Sequence, residues 1–164
     1  MGDQTVRDTA VPHNHPVQHD HTAQHDQAER IARAREFVAA NSRGVLTTYR
    51  RDGQAQMSPV TAGVDAEGRI VISVTEDRAK TKNARRDPRV ALCVFIDDFY
   101  GPWAQVEGLA EFADGPDRID ALVDYYRTLR GEHPDWSEYR AAMVRDRRVL
   151  LRFAILRASG PAAG

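Results

Sequence analysis

The chain has 164 residues, with 23 basic and 24 acidic side chains and a formal net charge of −1. This length suits one domain with its own hydrophobic core, and the near-neutral charge argues against a general nucleic-acid binder. The single cysteine, Cys93, cannot form an internal disulfide, and no stretch approaches the roughly 20 apolar residues of a membrane span. Since no apolar signal core is found near the first residues either, we expect a cytoplasmic protein with no membrane partner.

Residues 1–26 are polar and contain five histidines: His13, His15, His19, His21 and His25. Few apolar side chains are present there to form a core, so we expect a disordered tail. Five histidines could bind a metal ion weakly, but their spacing matches no closed zinc site and no cysteine lies near them. We therefore expect no functional metal site.

A single domain is expected over residues 27–158, with residues 159–164 as a loose C-terminus. Apolar residues recur at spacings of three and four over 27–41, which predicts a first helix. Five strands should follow, at 45–49, 55–64, 69–74, 89–96 and 103–112. Turn signals at Asp52-Gly53 and at 65–68 predict that the first three strands are joined as antiparallel hairpins.

A short helix over 78–86 is predicted between the third and fourth strands, with Thr75 or Asp77 as its N-cap. Two longer helices should begin near Asp114 and His133, and a last strand near Val149. Strands dominate and the helices lie outside them, so the fold class is predicted to be mainly β (α+β). A six-stranded antiparallel split β-barrel with peripheral helices fits this order, because closure removes exposed strand edges.

The basic segment 78–89 is the most informative part of the sequence. Six of its twelve residues are basic, and it contains both of the chain's lysines. A helix N-terminus attracts anions through its free amides and its dipole. Arg78 and Lys80, with Thr81 as a hydroxyl donor, would therefore complete a phosphate site. A solvated helix face is the alternative interpretation at this point.

A set of motifs extends this signal: residues 44–48, 52–53, 56–60, 78–83 and 85–90. Together they resemble the pyridoxamine 5'-phosphate oxidase-like split-barrel superfamily, and within it the actinobacterial branch that binds coenzyme F420. The block Arg78-Ala-Lys-Thr-Lys-Asn83, followed by Arg86-Asp-Pro-Arg89, is the most specific part. The resemblance covers roughly residues 30–155 and leaves out the histidine-rich tail.

The resemblance implies a dimeric split barrel of the FMN-binding type, with cofactor sites at the interface of a homodimer. It assigns the cofactor's phosphate to Arg78, Lys80 and Asn83. The side chains that would line the deazaflavin ring are Gln56, Ser58, Val60, Ser73 and Thr75. Tyr100 and Trp103 would reach the site from the partner subunit. Without the resemblance, the two serines could be outward-facing strand residues and Trp103 an ordinary packing aromatic.

The implied activity is that of an F420-dependent oxidoreductase, with hydride transfer from reduced deazaflavin to a small electron-poor acceptor such as an enone, quinone or nitro-aromatic. No nucleophile elbow, metalloprotease helix, Walker loop or dinucleotide fingerprint is present, as suits a protein whose cofactor supplies the chemistry. No catalytic side chain is identified. The alternatives are an FMN-dependent oxidoreductase of the same fold and a non-catalytic protein that binds or stores F420.

Overall fold

The computed structural model describes residues 17–98 and 100–164. Its elements in chain order are α1 (Val17–Ala40), β1 (Arg43–Tyr49), β2 (Ala55–Val64), β3 (Ile70–Thr75), α2 (Ala79–Arg86), β4 (Arg89–Phe95), β5 (Trp103–Leu109), β6 (Glu111–Ala113), α3 (Arg118–Arg130), α4 (Trp136–Arg145), β7 (Arg148–Phe153) and β8 (Arg157–Ser159). The predicted mainly β class is confirmed.

The strands of the described residues form one open antiparallel sheet in the order β6-β7-β3-β2-β1-β4-β5-β8. The prediction of six strands was wrong, since residues 17–98 and 100–164 form eight. The segment predicted as one strand over 103–112 divides at Ala110, whose amide donates to the carbonyl of Pro88. Before this point the chain pairs with β4, and after it with β7.

The first helix starts ten residues earlier than predicted, at Val17 instead of Gln27. No glycine or proline lies between Val17 and Arg43, so nothing in the sequence stops the helix from extending towards the N-terminus. Residues 17–26 of the expected disordered tail are therefore helical. The remainder of that tail prediction falls on residues 1–16, outside the described residues.

The main core lies between the sheet and α1. Alternate residues of β1, β4 and β5 are buried, as in strands with one face against a core. The C-terminus, predicted to be loose, packs into the same core: Ala158 and Ala163 are buried, and Arg33 Nε donates to the Ala163 carbonyl at 2.9 Å. A second cluster forms where α3 and α4 cover Val71 and Leu150.

Two turns follow the predicted hairpin chemistry. Gly53 and Gly68 have φ angles of 80° and 75°, in the left-handed region that glycine adopts without steric cost. No helix in the described part of the chain is long and apolar enough to cross a membrane.

Leu151 offers a test of the core. It is fully buried in β7, whereas Leu156 is 55% exposed. Leu151→Ala should lower the free energy of unfolding by about 2–5 kcal/mol, because it leaves a cavity between packed strands. Leu156→Ala should change it by less than about 0.5 kcal/mol. Chemical denaturation measures both, and equal losses would contradict the assigned packing.

Candidate functional site

The site begins where β2 changes its partner. Ala55 to Thr61 pair with β1, and only Ala62 to Val64 pair with β3. The end of β3, from Ser73 to Thr75, pairs with β7 on its other side. A cleft therefore opens between the first part of β2 and the end of β3, and we call it the β2–β3 cleft.

The β2–β3 cleft has a volume of about 360 Å³ and is open to solvent. It is lined from β2, β3, α2, α3 and β7, among others by Val60, Ser73, Lys80, Tyr125 and Arg148. Three of the predicted site residues, Val60, Ser73 and Lys80, are thus brought together. A second cleft, of about 350 Å³, borders the turn between β2 and β3. Carboxylates such as Asp65, Asp120 and Asp124 outnumber its two arginines, Arg69 and Arg152, so it suits a phosphate less well.

Lys80 reaches into the β2–β3 cleft from the first turn of α2. Its Nζ donates to the Pro59 carbonyl at 3.3 Å. Burial lowers the pKa of Lys80 below its ordinary value, and the positive charges of Arg148 and Arg78 lower it further. Among the described residues, no carboxylate forms an ion pair with any of these three cations.

The start of α2 carries no side-chain cap. Its N-cap residue is Arg78, in an extended conformation, so the prediction that Thr75 or Asp77 caps the helix was wrong. No acidic residue lies in the first turn. An uncapped helix start leaves donor amides and the positive end of the helix dipole available for an anion. Arg78 is exposed beside it.

Thr81 and Asn83 differ from their predicted roles. Thr81 is fully buried, and its hydroxyl donates to the Thr75 carbonyl at 2.8 Å. The Asn83 amide nitrogen donates to Gln56 Oε1 at 2.7 Å and to Thr48 Oγ1 at 3.3 Å. Both side chains, predicted to contact phosphate, therefore fasten α2 to the strands. The hydrogen bond from Asn83 also holds Gln56, which was predicted to line the deazaflavin ring, against α2.

Ser58 lies on the same face of β2 as Val60, two residues before it. The Ser58 hydroxyl oxygen is buried and has no hydrogen-bond partner among the described residues. A buried hydroxyl without a partner is costly, and a bound ligand with a polar edge would remove that cost.

Arg148 is a cleft residue that the sequence interpretation missed. It opens β7 directly opposite Thr75. Its guanidinium donates to Ser73 Oγ and to Thr75 Oγ1, both at 3.1 Å, and to the Ser73 carbonyl at 3.4 Å. The hydroxyls of Ser73 and Thr75, predicted at the ring, are therefore engaged by Arg148. The only signal in the sequence is an arginine immediately before an apolar strand, too common a pattern to mark a site.

Tyr125, from α3, is the second missed residue. Its hydroxyl donates to the Thr61 carbonyl at 2.9 Å, and burial raises its pKa.

Tyr100 and Trp103 lie away from this cleft. Trp103 begins β5, three strands from β2 in the sheet order, which is about 14 Å at the usual strand spacing. Tyr100 is 93% exposed in the preceding loop. Both line a shallow depression with Pro102 and Pro161. Within one chain they are not part of the β2–β3 cleft, and their contribution from a partner subunit stays a prediction.

No group of three or more metal-ligating side chains is assembled within residues 23–98 and 100–164.

The acidity of Lys80 can be measured directly, because the chain has only two lysines. In a Lys82→Arg variant labelled with ¹³C at the lysine ε carbon, Lys80 gives the one lysine side-chain signal. We expect this signal to titrate with a midpoint below 10.5, since burial and neighbouring cations disfavour the ammonium form. In the wild type two lysine signals are expected, and a Lys80→Arg variant identifies the one that belongs to Lys82. A midpoint at or above the ordinary value would contradict the burial of Lys80 beside two cations.

Solved structures of other proteins share this fold. The conserved hypothetical protein Rv2991 from Mycobacterium tuberculosis has 27% identity and a TM-score of 0.64, over 79% of this chain and 82% of that one. An F420 reductase has 24% identity and a TM-score of 0.58, over 76% and 94% of the two chains. A heme binding protein from Mycobacterium smegmatis, at 19% identity and a TM-score of 0.62, covers 81% of this chain and 54% of its own. The last two show the fold alone.

Residues 31–160 match the family described as pyridoxamine 5'-phosphate oxidase. The match includes every strand of the sheet and every residue of the β2–β3 cleft named above. The chain belongs to the pyridoxamine 5'-phosphate oxidase family.

Proposed function

We propose that this protein is a cytoplasmic, homodimeric F420-dependent oxidoreductase that binds the cofactor's phosphate at the start of α2. The observation that carries the proposal is the β2–β3 cleft, where Lys80 enters from an uncapped helix start that begins at Arg78, and no carboxylate among the described residues pairs with either cation. A phosphate receives amide donors from such a helix start, charge from Lys80, and a two-pronged contact from an arginine.

The remaining residues suit a flat heteroaromatic ring on β2. Val60 offers an apolar side chain at the cleft. The Ser58 hydroxyl has no hydrogen-bond partner among the described residues, and a polar ring edge would supply one. The bound deazaflavin would supply a hydride for a small electron-poor acceptor. The protein's own part is to hold the phosphate, to orient the ring through β2, and to keep bulk water from the reacting face.

The choice of F420 over FMN draws on the sequence motifs around residues 78–89 and on a neighbour of the same fold that is named as an F420 reductase. Both cofactors carry a phosphate, so the α2 site alone does not separate them. The titration below does.

Binding of F420 to purified, cofactor-free protein tests the proposal. The Arg78→Ala/Lys80→Ala variant should bind F420 about 100-fold more weakly or worse, because it loses two charge-assisted contacts. The exposed pair Arg51 and Lys82 provides a control, since Arg51→Ala/Lys82→Ala removes the same charge and should bind nearly as the wild type does.

Each alternative has its own outcome in that titration. Binding of FMN but not F420 would favour the alternative of an FMN-dependent oxidoreductase. Tight F420 binding, with no oxidation of the reduced cofactor by enones, quinones or nitro-aromatics, would favour a binding or storage protein. No binding of either cofactor would overturn the proposal.

The homodimer is supported by the sheet face that points away from the core. In-register residues of β2, β1, β4 and β5 share this outer sheet face. Large apolar side chains are exposed on it: Met57, Phe95, Trp103 and Leu109. Homodimer interfaces are enriched in large apolar side chains of this kind. Trp103 belongs to this face, so dimerisation through it would bring the β5 aromatics into contact with a second subunit.

Met57→Arg tests the interface. Met57 is 69% exposed on the outer sheet face, while Val144 is 55% exposed on α4. Met57→Arg should shift the protein from dimer to monomer, because a charge would be desolvated in an apolar contact. Val144→Arg should leave the dimer intact. Light scattering after size-exclusion chromatography measures both masses. A wild-type monomer, or a dimer unaffected by Met57→Arg, would contradict this interface.

A further inference from the structure

Arg148 differs from three arginines that lie near β3, α2 and β7. Arg69 and Arg152 are partly buried and Arg85 is exposed, and each meets a carboxylate: Arg69 with Asp65 at 2.7 Å, Arg85 with Asp114 at 2.8 Å, and Arg152 with Glu111 at 3.7 Å. Arg148 is also partly buried, yet its hydrogen bonds go only to the neutral Ser73 and Thr75. Its charge is therefore without a counter-charge among the described residues.

Among the described residues, the surroundings of Arg148 add positive charge and no ion-paired carboxylate. Lys80 shares the cleft with Arg148, and the charges of both Arg148 and Arg78 act on Lys80. The groups that face Arg148 from the neighbouring elements are neutral: Ser73 and Thr75 from β3 and Tyr125 from α3. Three cations gathered without an acid repel one another, and an anion in the cleft would remove that repulsion.

We infer that Arg148 is a third cationic binding residue, which acts with Arg78 and Lys80 on the phosphate-bearing end of the cofactor. The inference rests on the proposed function for the nature of the ligand. Arg148 comes from β7, 68 positions after Lys80 in the chain, and its bonds to Ser73 and Thr75 hold the guanidinium at the cleft wall. The binding site thus extends from α2 across β3, and its charge suits a phosphate ester better than a neutral ligand.

The test compares ligands that differ only in the anionic part. F420 and its phosphate-free deazaflavin core are titrated into wild type, Arg148→Gln and Arg148→Lys. Arg148→Gln should weaken F420 binding about 10- to 100-fold, as expected for one charge-assisted contact, and leave binding of the core within about twofold. Arg148→Lys should recover part of the affinity because it keeps the charge. FMN and riboflavin serve as a second pair.

Arg152→Gln is the matched control, because Arg152 lies on the same face of β7 but outside the β2–β3 cleft. It should bind F420 as the wild type does. If Arg148 had a purely structural role, Arg148→Gln would weaken the binding of both ligands of a pair equally, and that result would overturn the inference. So would wild-type affinity for F420 in Arg148→Gln.

A cofactor-independent probe separates this inference from the proposed function. Inorganic pyrophosphate should raise the melting temperature of the wild type. It should raise the melting temperature of Arg148→Gln by clearly less. If neither F420 nor FMN binds but this difference is found, the anion cleft stands and the proposed cofactor is wrong. If pyrophosphate stabilises both proteins equally, or neither of them, the role of Arg148 is wrong.

Discussion

Backbone pairing of β2 determines the rest of this structure. The strand pairs with β1 up to Thr61 and with β3 only from Ala62 onward. The first part of β2 and the end of β3 therefore have no backbone pairing with each other, which leaves an opening between them. That opening is the β2–β3 cleft. Pro59 lies on the unpaired side of it, where its missing N–H costs nothing.

The short helix α2 is held in the opening by buried polar groups. The amide of Asn83 links Thr48 of β1 to Gln56 of β2, and the hydroxyl of Thr81 reaches back to the end of β3. Such fully bonded buried groups fix one geometry, because any other would leave them without partners. The helix start is thereby fixed at the cleft, and Lys80 is directed into it.

Charge is distributed unevenly around this frame. Elsewhere several arginines are paired with carboxylates, and Arg85, bonded to both Glu76 and Asp114, lies on the same short helix as Lys80. At the cleft the cations Arg78, Lys80 and Arg148 have no acidic partner among the described residues. An arrangement that disfavours the empty protein and favours an anion is typical of binding sites, where local rules of stability are relaxed.

Local sequence patterns determined much of this protein. The strands β1 and β4, the glycine turns at Gly53 and Gly68, and the short helix α2 depend on neighbouring residues, and each was predicted within a residue or two of its bounds. Lys80 was recognised for the same reason, since helix start and lysine lie together in the chain. Four features could not be predicted from the sequence. They are the inward orientation of the Thr81 and Asn83 side chains, the division of the strand at Ala110, the packing of Ala163, and the position of Arg148 opposite Thr75. Each depends on a hydrogen bond or contact between distant segments, and strand register, which only the tertiary structure sets, decides which residues meet.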